Sequence, residues 1–498
     1  MASVADQILR ALAANGVRRL HAAPGPNALD DAVARHPAIA WLRAGRMESA
    51  PFAAAGDAAM SGELAVCVAR SDPADDRLRD GLSDARLSGV PVLMLALPAD
   101  AGTTRHGRSD LAPAYGTFAE TLTSPGDLPR LLTAAIRAAV EDDGVAVVVV
   151  DETMLGELCD VGSPMPVSST RPVVRPREPD LAAAARVLTG AGRTTIVAGA
   201  GAAAARNEIE QLADILRAPV AHTLRGKEHV EGGSFDVGMV GPIAGGLADD
   251  TVAASDVVLL LGTDLRYRPP HPDDATVIQI DSRGSHLGRR FPVDLALNGT
   301  VLDTLHALQP RLERHFDTRH LDVAVAGYAS ARRADDARAL DHRDSAMASV
   351  AVLVNRLAEP DAVFAVDTGF DELTATRHLR MNGERRLIGS FTRGSAQGVL
   401  PLALGAQSAH GDRQVVALLG DRGRARLSEE LPALVGGGLP LKIVAVGRDH
   451  DPALTTRARA LGMSSIHVDR AHALGDAIID ALDYDGPALV EFARGSAD

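Results

Sequence analysis

The chain has 498 residues, 51 of them Lys or Arg against 65 Asp or Glu, a formal charge of -14, and 3% aromatic residues. An acidic balance without basic runs excludes the electrostatic footprint that nucleic-acid binding needs. Two cysteines, Cys67 and Cys159, exclude a disulfide framework and any cysteine metal motif.

At roughly 150 residues per domain, the length predicts three domains. The start of the chain, Met1 to Val17, carries Asp6 and Arg10 within an amphipathic pattern. It predicts a helix over Asp6 to Asn15, not a signal peptide or a membrane span, so a soluble cytoplasmic protein is expected. After a turn at Pro24-Gly25-Pro26, buried strands are predicted at Val90 to Leu97 and Val145 to Val150. Residues 1–161 form this first domain, and the breaker-rich run 162–180 reads as a linker. The second domain, 181–310, opens on a strand at Thr194 to Ala198, continues as a helix over Asn207 to Leu216, and adds strands at Val257 to Leu261 and Val277 to Ile280. A charged, helix-prone stretch, 311–344, separates it from the third domain, 345–498, with strands at Ala362 to Val366, Gln414 to Leu419, Leu441 to Val446 and Ala488 to Phe492. Alternating strand-like and helix-like segments throughout predict an α/β fold of three doubly wound domains with parallel sheets.

Gly199-Ala200-Gly201 after a strand is half of a dinucleotide fingerprint, and equally a tight turn. It stands beside longer strings: HTLRGKEHVEGGSFDVGMVG over His222 to Gly241, DVVLLLGTDLRY over Asp256 to Tyr267, and VIQID over Val277 to Asp281. Together these resemble the middle domain of the thiamine-diphosphate and flavin enzymes of the pyruvate oxidase and pyruvate:quinone dehydrogenase family. The first domain resembles that family's pyrimidine-binding domain through Pro24-Gly25, Arg46-Met47-Glu48, Ala53 to Gly56 and Gly81 to Ala85. The third resembles its diphosphate-binding domain through Arg377 to Phe391, Leu400 to Ala409 and Gln414 to Asp421. The resemblance implies active sites built between two subunits, hence a homodimer or homotetramer acting on a small molecule. It also implies FAD, and thiamine diphosphate held by Mg²⁺. In such enzymes a partner-chain Glu activates the cofactor, whose ylid decarboxylates a 2-oxo acid. Glu48 stands at the position of that catalytic Glu.

Other positions depart from the pattern. The metal-binding Gly-Asp-Gly has become Gly420-Asp421-Arg422, and the paired Asn after the next strand have become Gly447-Arg448. Asp421 is the one metal ligand left, and Mg²⁺ requires several hard oxygens. A guanidinium about 4 Å from a divalent ion would be repelled by roughly 8 kcal/mol at an effective dielectric near 20. The family's Gly-Pro-Gly loop has become Asp72-Pro73-Ala74, the Phe-Gln pair is not recognisable in Ala101 to Leu111, and the segment after Arg448 is short. Arg422, Arg424, Arg426 and Arg448 could form a metal-free anion site. Because 49 of the 51 basic residues are Arg and only Lys227 and Lys442 are Lys, the favoured reading is that these Arg side chains salt-bridge Asp421, Glu429 and Glu430 or lie in solvent.

The flavin positions match better. The resemblance places Gly199, Gly201, Val240, Gly241, Pro242, Ile243, Thr263, Asp264, Leu265, Arg266 and Tyr267 along FAD and Asp281 at its adenosine end. Arg225 and Lys227 would face its diphosphate, and Arg422 and Arg448 would lie at the thiamine-diphosphate site. Three readings follow: a pyruvate-oxidase-like flavoprotein with altered or lost thiamine-diphosphate binding; an intact decarboxylase or acetolactate-synthase-like enzyme; or a catalytically retired scaffold or regulatory homologue. The chain end is short and polar, without a membrane-docking helix.

Overall fold

The computed structural model describes residues 2–25, 28–70, 76–98, 116–159, 162, 165–168, 173–263, 265, 274–341 and 345–493. The chain divides into two compact units. One comprises Met1–Arg171, Leu357–Glu372 and Ile388–Asp498, and the other Pro172–Arg356 and Leu373–Leu387.

In the first unit, Ser3 and Asp6 form a reciprocal capping box, so the opening helix starts at Val4, two residues before the sequence prediction, and runs to Ala14. Strand β1 (Ala2–Ser3) pairs antiparallel with β8 (Leu158–Cys159). Between them lies a parallel sheet of β2 (Arg19–Ala22), β3 (Ala40–Arg43), β4 (Ala65–Ala69), β5 (Val92–Ala96), β6 (Phe118–Thr121) and β7 (Val145–Val149), in the order β3-β2-β4-β5-β7-β6. The central strands β4, β5 and β7 are buried at every residue, which is why β5 and β7 read as unbroken apolar runs; β4, equally apolar, is not among the expected strands. Edge strands β3 and β6 are only partly covered, and their mixed composition gave no such run.

The second unit carries β9 (Thr194–Ala198), β10 (Val220–His222), β11 (Asp236–Met239), β12 (Val257–Leu261), β13 (Thr276–Asp281) and β14 (Leu295–Asn298). Their order, β11-β10-β9-β12-β13-β14, is that of a doubly wound dinucleotide fold, with its switch point between β9 and β12. The charged stretch after residue 311 contains a 22-residue helix, Arg319–Leu340, anchored at Leu321 and Ala324. Its Tyr328 ring lies over Gly238, where φ is +90° and an added Cβ would collide with it.

The third sheet comprises β15 (Val363–Val366), β16 (Arg386–Ile388), β17 (Val415–Leu419), β18 (Lys442–Gly447), β19 (Ser464–Val468) and β20 (Ala488–Ala493), in the order β16-β15-β17-β18-β20-β19. Within the first unit it shares one apolar core with the first sheet. The joint is a pair of small-residue helices, Ser49–Ser61 and Val399–Ala409. A Cβ on Gly56 would collide with the Leu402 backbone, and one on Gly405 with that of Ala53, so the two backbones touch.

Candidate functional site

Gly420 leads directly from β17 into the helix Asp421–Gly436, whose N-terminus faces the carboxyl end of β18. Protein groups already fill this place. The Glu372 carboxylate, almost fully buried, lies against Gly369 and Gly420, and a Cβ on either would collide with it. Asp367 at the end of β15 accepts the Gly423 N–H at 3.0 Å, and burial raises its pKa against the opposing pull of backbone hydrogen bonds. On the other side, Arg424 donates to Glu491 Oε1 at 2.8 Å and to the Asp449 carbonyl at 2.5 Å, and lies 3.7 Å from Asp421 Oδ1. Asp421 also accepts the Arg448 backbone N–H at 3.3 Å. The Arg422 and Arg448 side chains are exposed. A bound diphosphate would meet the Glu372 carboxylate, and Mg²⁺ would meet the Arg424 guanidinium, so these residues do not fit thiamine diphosphate with Mg²⁺. Asp72, Pro73, Ala74 and the stretch Ala101 to Leu111 lie outside the described residues.

Glu48 stands just before the Ser49–Ser61 helix, nearly buried, with its carboxylate on Arg46; Arg46 also reaches Glu429. Beside it is Glu430, which accepts the Gly45 N–H at 3.0 Å and the Ser49 hydroxyl. Burial pushes the Glu430 carboxyl above its ordinary range, and the like charge of Glu48 adds to this. Glu430 also borders a cleft of about 350 Å³ together with His21, Trp41 and Arg43. His21 Nε2 lies 2.9 Å from Asp57, which Arg19 holds through two further hydrogen bonds. The site therefore holds a second carboxylate, which the sequence offers only as a salt-bridge partner for the Arg cluster, and a buried His–Asp pair that sequence reading missed. Their partners are 36 and 385 residues away along the chain, so no local pattern marks them.

In the second unit the structure brings Gly199, Gly201, Thr263 and Asp281 to the carboxyl edge of the sheet, as their strand-end positions predict. Gly199 and Gly201 are needed for contact with protein: their α-carbons face Gly262, and Gly201 N–H donates to the Gly262 carbonyl at 3.0 Å. Val240 is buried, and Gly241 takes φ +110° with its N–H on both Asp249 oxygens at 3.1 Å. Pro242 is exposed and Ile243 partly so. Asp281 accepts the Arg283 N–H at 2.8 Å and lies 3.6 Å from His286. Arg225 is half-buried. Lys227 corrects an expectation: its amine is buried and bound to Glu231 at 2.8 Å, because the short helix Lys227–Val230 turns it inward. Asp264, Arg266 and Tyr267 lie outside the described residues, while Leu265 is buried. A recess at this edge is lined by Thr263, Gln279, His286, Arg289, Arg290 and Phe291. The Gln279 amide is taken up by the His286 carbonyl and the Gly288 N–H, so the exposed guanidiniums of Arg289 and Arg290, with the His286 imidazole and the Thr263 hydroxyl, are the groups that could donate to a phosphate.

Sequence profiles of three thiamine pyrophosphate enzyme domains match the chain: the N-terminal TPP binding domain over residues 2–113, the central domain over 181–308 and the C-terminal TPP binding domain over 367–447. An uncharacterized 42.6 kDa protein from the isoamylase 3' region of Pseudomonas amyloderamosa is 36% identical over 344 residues, covering 67% of this chain and 87% of the relative. Pyruvate oxidase of Lactiplantibacillus plantarum is 29% identical over 454 residues, covering 87% and 75%. An acetolactate synthase of Mycobacterium bovis is 24% identical over 425 residues, covering 80% and 68%. Among the described residues no helix is long and apolar enough to cross a membrane. Three consecutive domain matches in family order, on three parallel six-stranded sheets, make this chain a member of the thiamine pyrophosphate enzyme family.

Proposed function

We propose that this chain is a pyruvate-oxidase-like flavoprotein, a cytoplasmic homodimer or homotetramer, acting on a small carbonyl compound or 2-oxo acid without thiamine-diphosphate chemistry. The observation that carries this reading is the recess beside the ends of β12 and β13 in the middle sheet, with Arg289, Arg290, His286 and Thr263 at its wall. There Thr263 and the two guanidiniums would hold phosphate oxygens, and Phe291 offers an apolar wall. Bound flavin supplies a two-electron acceptor. Glu48, Glu430 and His21 are the groups of the first unit suited to accept or deliver a proton. An intact thiamine enzyme is disfavoured by Glu372 and Arg424, which fill the diphosphate end.

The second reading, a catalytically retired homologue, is favoured by the Gly199–Gly262 backbone contact and by Asp249 on the Gly241 N–H, since both take up groups otherwise open to a ligand. Absorbance of the purified protein separates the two. A band at about 450 nm that denaturation releases as FAD supports the flavoprotein. Colourless protein that also gives no heat on titration with FAD sinks it in favour of the retired homologue.

A further inference from the structure

Three oxygens of different origin converge on one guanidinium in the third domain: Glu491 Oε1, the Asp449 carbonyl and Asp421 Oδ1. Two carboxylates and a carbonyl are the donor set of a hard divalent ion such as Mg²⁺ or Mn²⁺. Room for the guanidinium comes from Gly447, where an added Cβ would stand 2.5 Å from the Arg424 central carbon. The cradle is built rather than incidental. Glu491 is fully buried, and its two oxygens also accept the Asp451 N–H at 2.8 Å, the Thr455 hydroxyl at 3.0 Å and a contact from His450 Nδ1 at 2.7 Å. Burial works to raise the Glu491 carboxyl, but the hydrogen bonds from Asp451, Arg424, Thr455 and His450 outweigh it and hold it below its ordinary value.

We propose that Arg424 is a resident cation in this all-oxygen cradle: the chain supplies from its own sequence the positive charge that a divalent ion would bring, and excludes such an ion while Arg424 is in place. A permanently charged, planar group with five donors can satisfy carboxylate and carbonyl oxygens at once, which a neutral side chain cannot. The same charge keeps a cation from settling among His450, His467 and Glu491, whose ligand atoms all lie within 4.8 Å of one another. His467 stacks on His450 with ring centroids 3.6 Å apart and faces Glu491 across β19 and β20. The inference holds whether or not the middle domain carries a flavin.

The test is Mn²⁺ binding to the purified full chain, followed by electron paramagnetic resonance. Wild type is expected to leave the free-Mn²⁺ signal unchanged, and EDTA to leave its thermal midpoint unchanged. Arg424→Gln, with the cradle emptied of its cation and the Glu491 and Asp421 carboxylates left uncompensated, is expected to melt lower and to bind one Mn²⁺ per chain, which Mg²⁺ displaces and which raises the midpoint. Arg424→Lys keeps the charge and should bind none. Stoichiometric Mn²⁺ binding by wild type or by Arg424→Lys overturns the proposal, and so does its absence from both Arg424→Gln and Arg424→Ala. If neither neutral variant folds without metal, their recovery only from cells grown with added Mn²⁺ supports it, and failure with Mn²⁺ overturns it.

Discussion

At the carboxyl end of the third sheet, the space over Gly420 and Gly447 is filled by charged side chains, Glu372 and Arg424. At the carboxyl end of the middle sheet, Gly199, Gly201 and Gly262 are filled by one another's backbone. Both regions use glycine at strand ends, and both look like the close approaches that admit a ligand. The contrast lies in what closes them. Side chains can be truncated one at a time, whereas a backbone contact is part of the fold. A strand-end glycine covered by a side chain can therefore be uncovered by a single truncation, whereas one covered by backbone cannot.

The largest effect should come from the glycines themselves. Gly199→Ala is expected to cost about 3 kcal/mol or more, because its Cβ meets the Gly262 backbone, and no single truncation should restore it. Gly420→Ala should cost a similar amount alone, yet regain more than half when combined with Glu372→Ala, since there the collision is with a side chain. Urea unfolding of Gly199→Ala, Gly420→Ala, Glu372→Ala and the Gly420→Ala/Glu372→Ala double variant checks this, and no recovery in the double variant would erase the comparison.

An effect at the lower end of that range, about 3 kcal/mol, is expected for Glu491→Gln, which leaves Arg424 without its buried counter-charge. The same carboxylate sets an acid limb. Because the folded-state pKa is lowered, the unfolded chain binds more protons as pH falls past the ordinary value of 4.5. Its stabilisation is complete above that value and is lost as pH falls toward the lowered one. Glu430 works in the opposite sense, since burial raises its pKa and protonation relieves a cost as pH falls through the raised value. Glu491→Gln should therefore flatten the loss of stability below about pH 4.5, and Glu430→Gln should abolish a gain in stability that the wild type makes above that value, as pH falls toward it. Urea midpoints measured across the acid range decide; parallel curves for all three proteins would count against both assignments.

The smallest change in stability belongs to the open recess. Arg289→Ala and Arg290→Ala, both exposed, should alter unfolding by no more than about 0.5 kcal/mol. Each should weaken FAD about tenfold if it makes one charge-assisted hydrogen bond to phosphate. Calorimetric titration showing unchanged affinity would remove them from the nucleotide site.

Strands β9 and β12 were legible to the residue, and β7 and β17 to within one, because buried parallel strands are unbroken apolar runs. β2, β3 and β19 were not named, since short or partly exposed strands of mixed composition carry no such signal. The departure from the family pattern is legible where one position suffices: Gly447-Arg448 stands where the resemblance expects paired Asn. The site was illegible where two distant positions must meet. Arg424 was visible as one more Arg, but its partner Glu491 lies 67 residues on. Lys227 was misread toward a diphosphate because nothing local shows that its helix turns inward onto Glu231, four residues later.

The backbone contact of Gly56 with Leu402 and of Gly405 with Ala53 also bears on the order in which the molecule is made. The two helices are separated by the whole middle of the chain, including residues 172–356, which belong to the other compact unit. During synthesis the first helix must wait, with its alanine-rich face uncovered, until the second emerges hundreds of residues later. Contacts of such long sequence separation form slowly, while the inserted unit can fold first as a body of its own. The interval in which the Ser49–Ser61 helix is unpaired is thus when this chain is most exposed to aggregation and to chaperones.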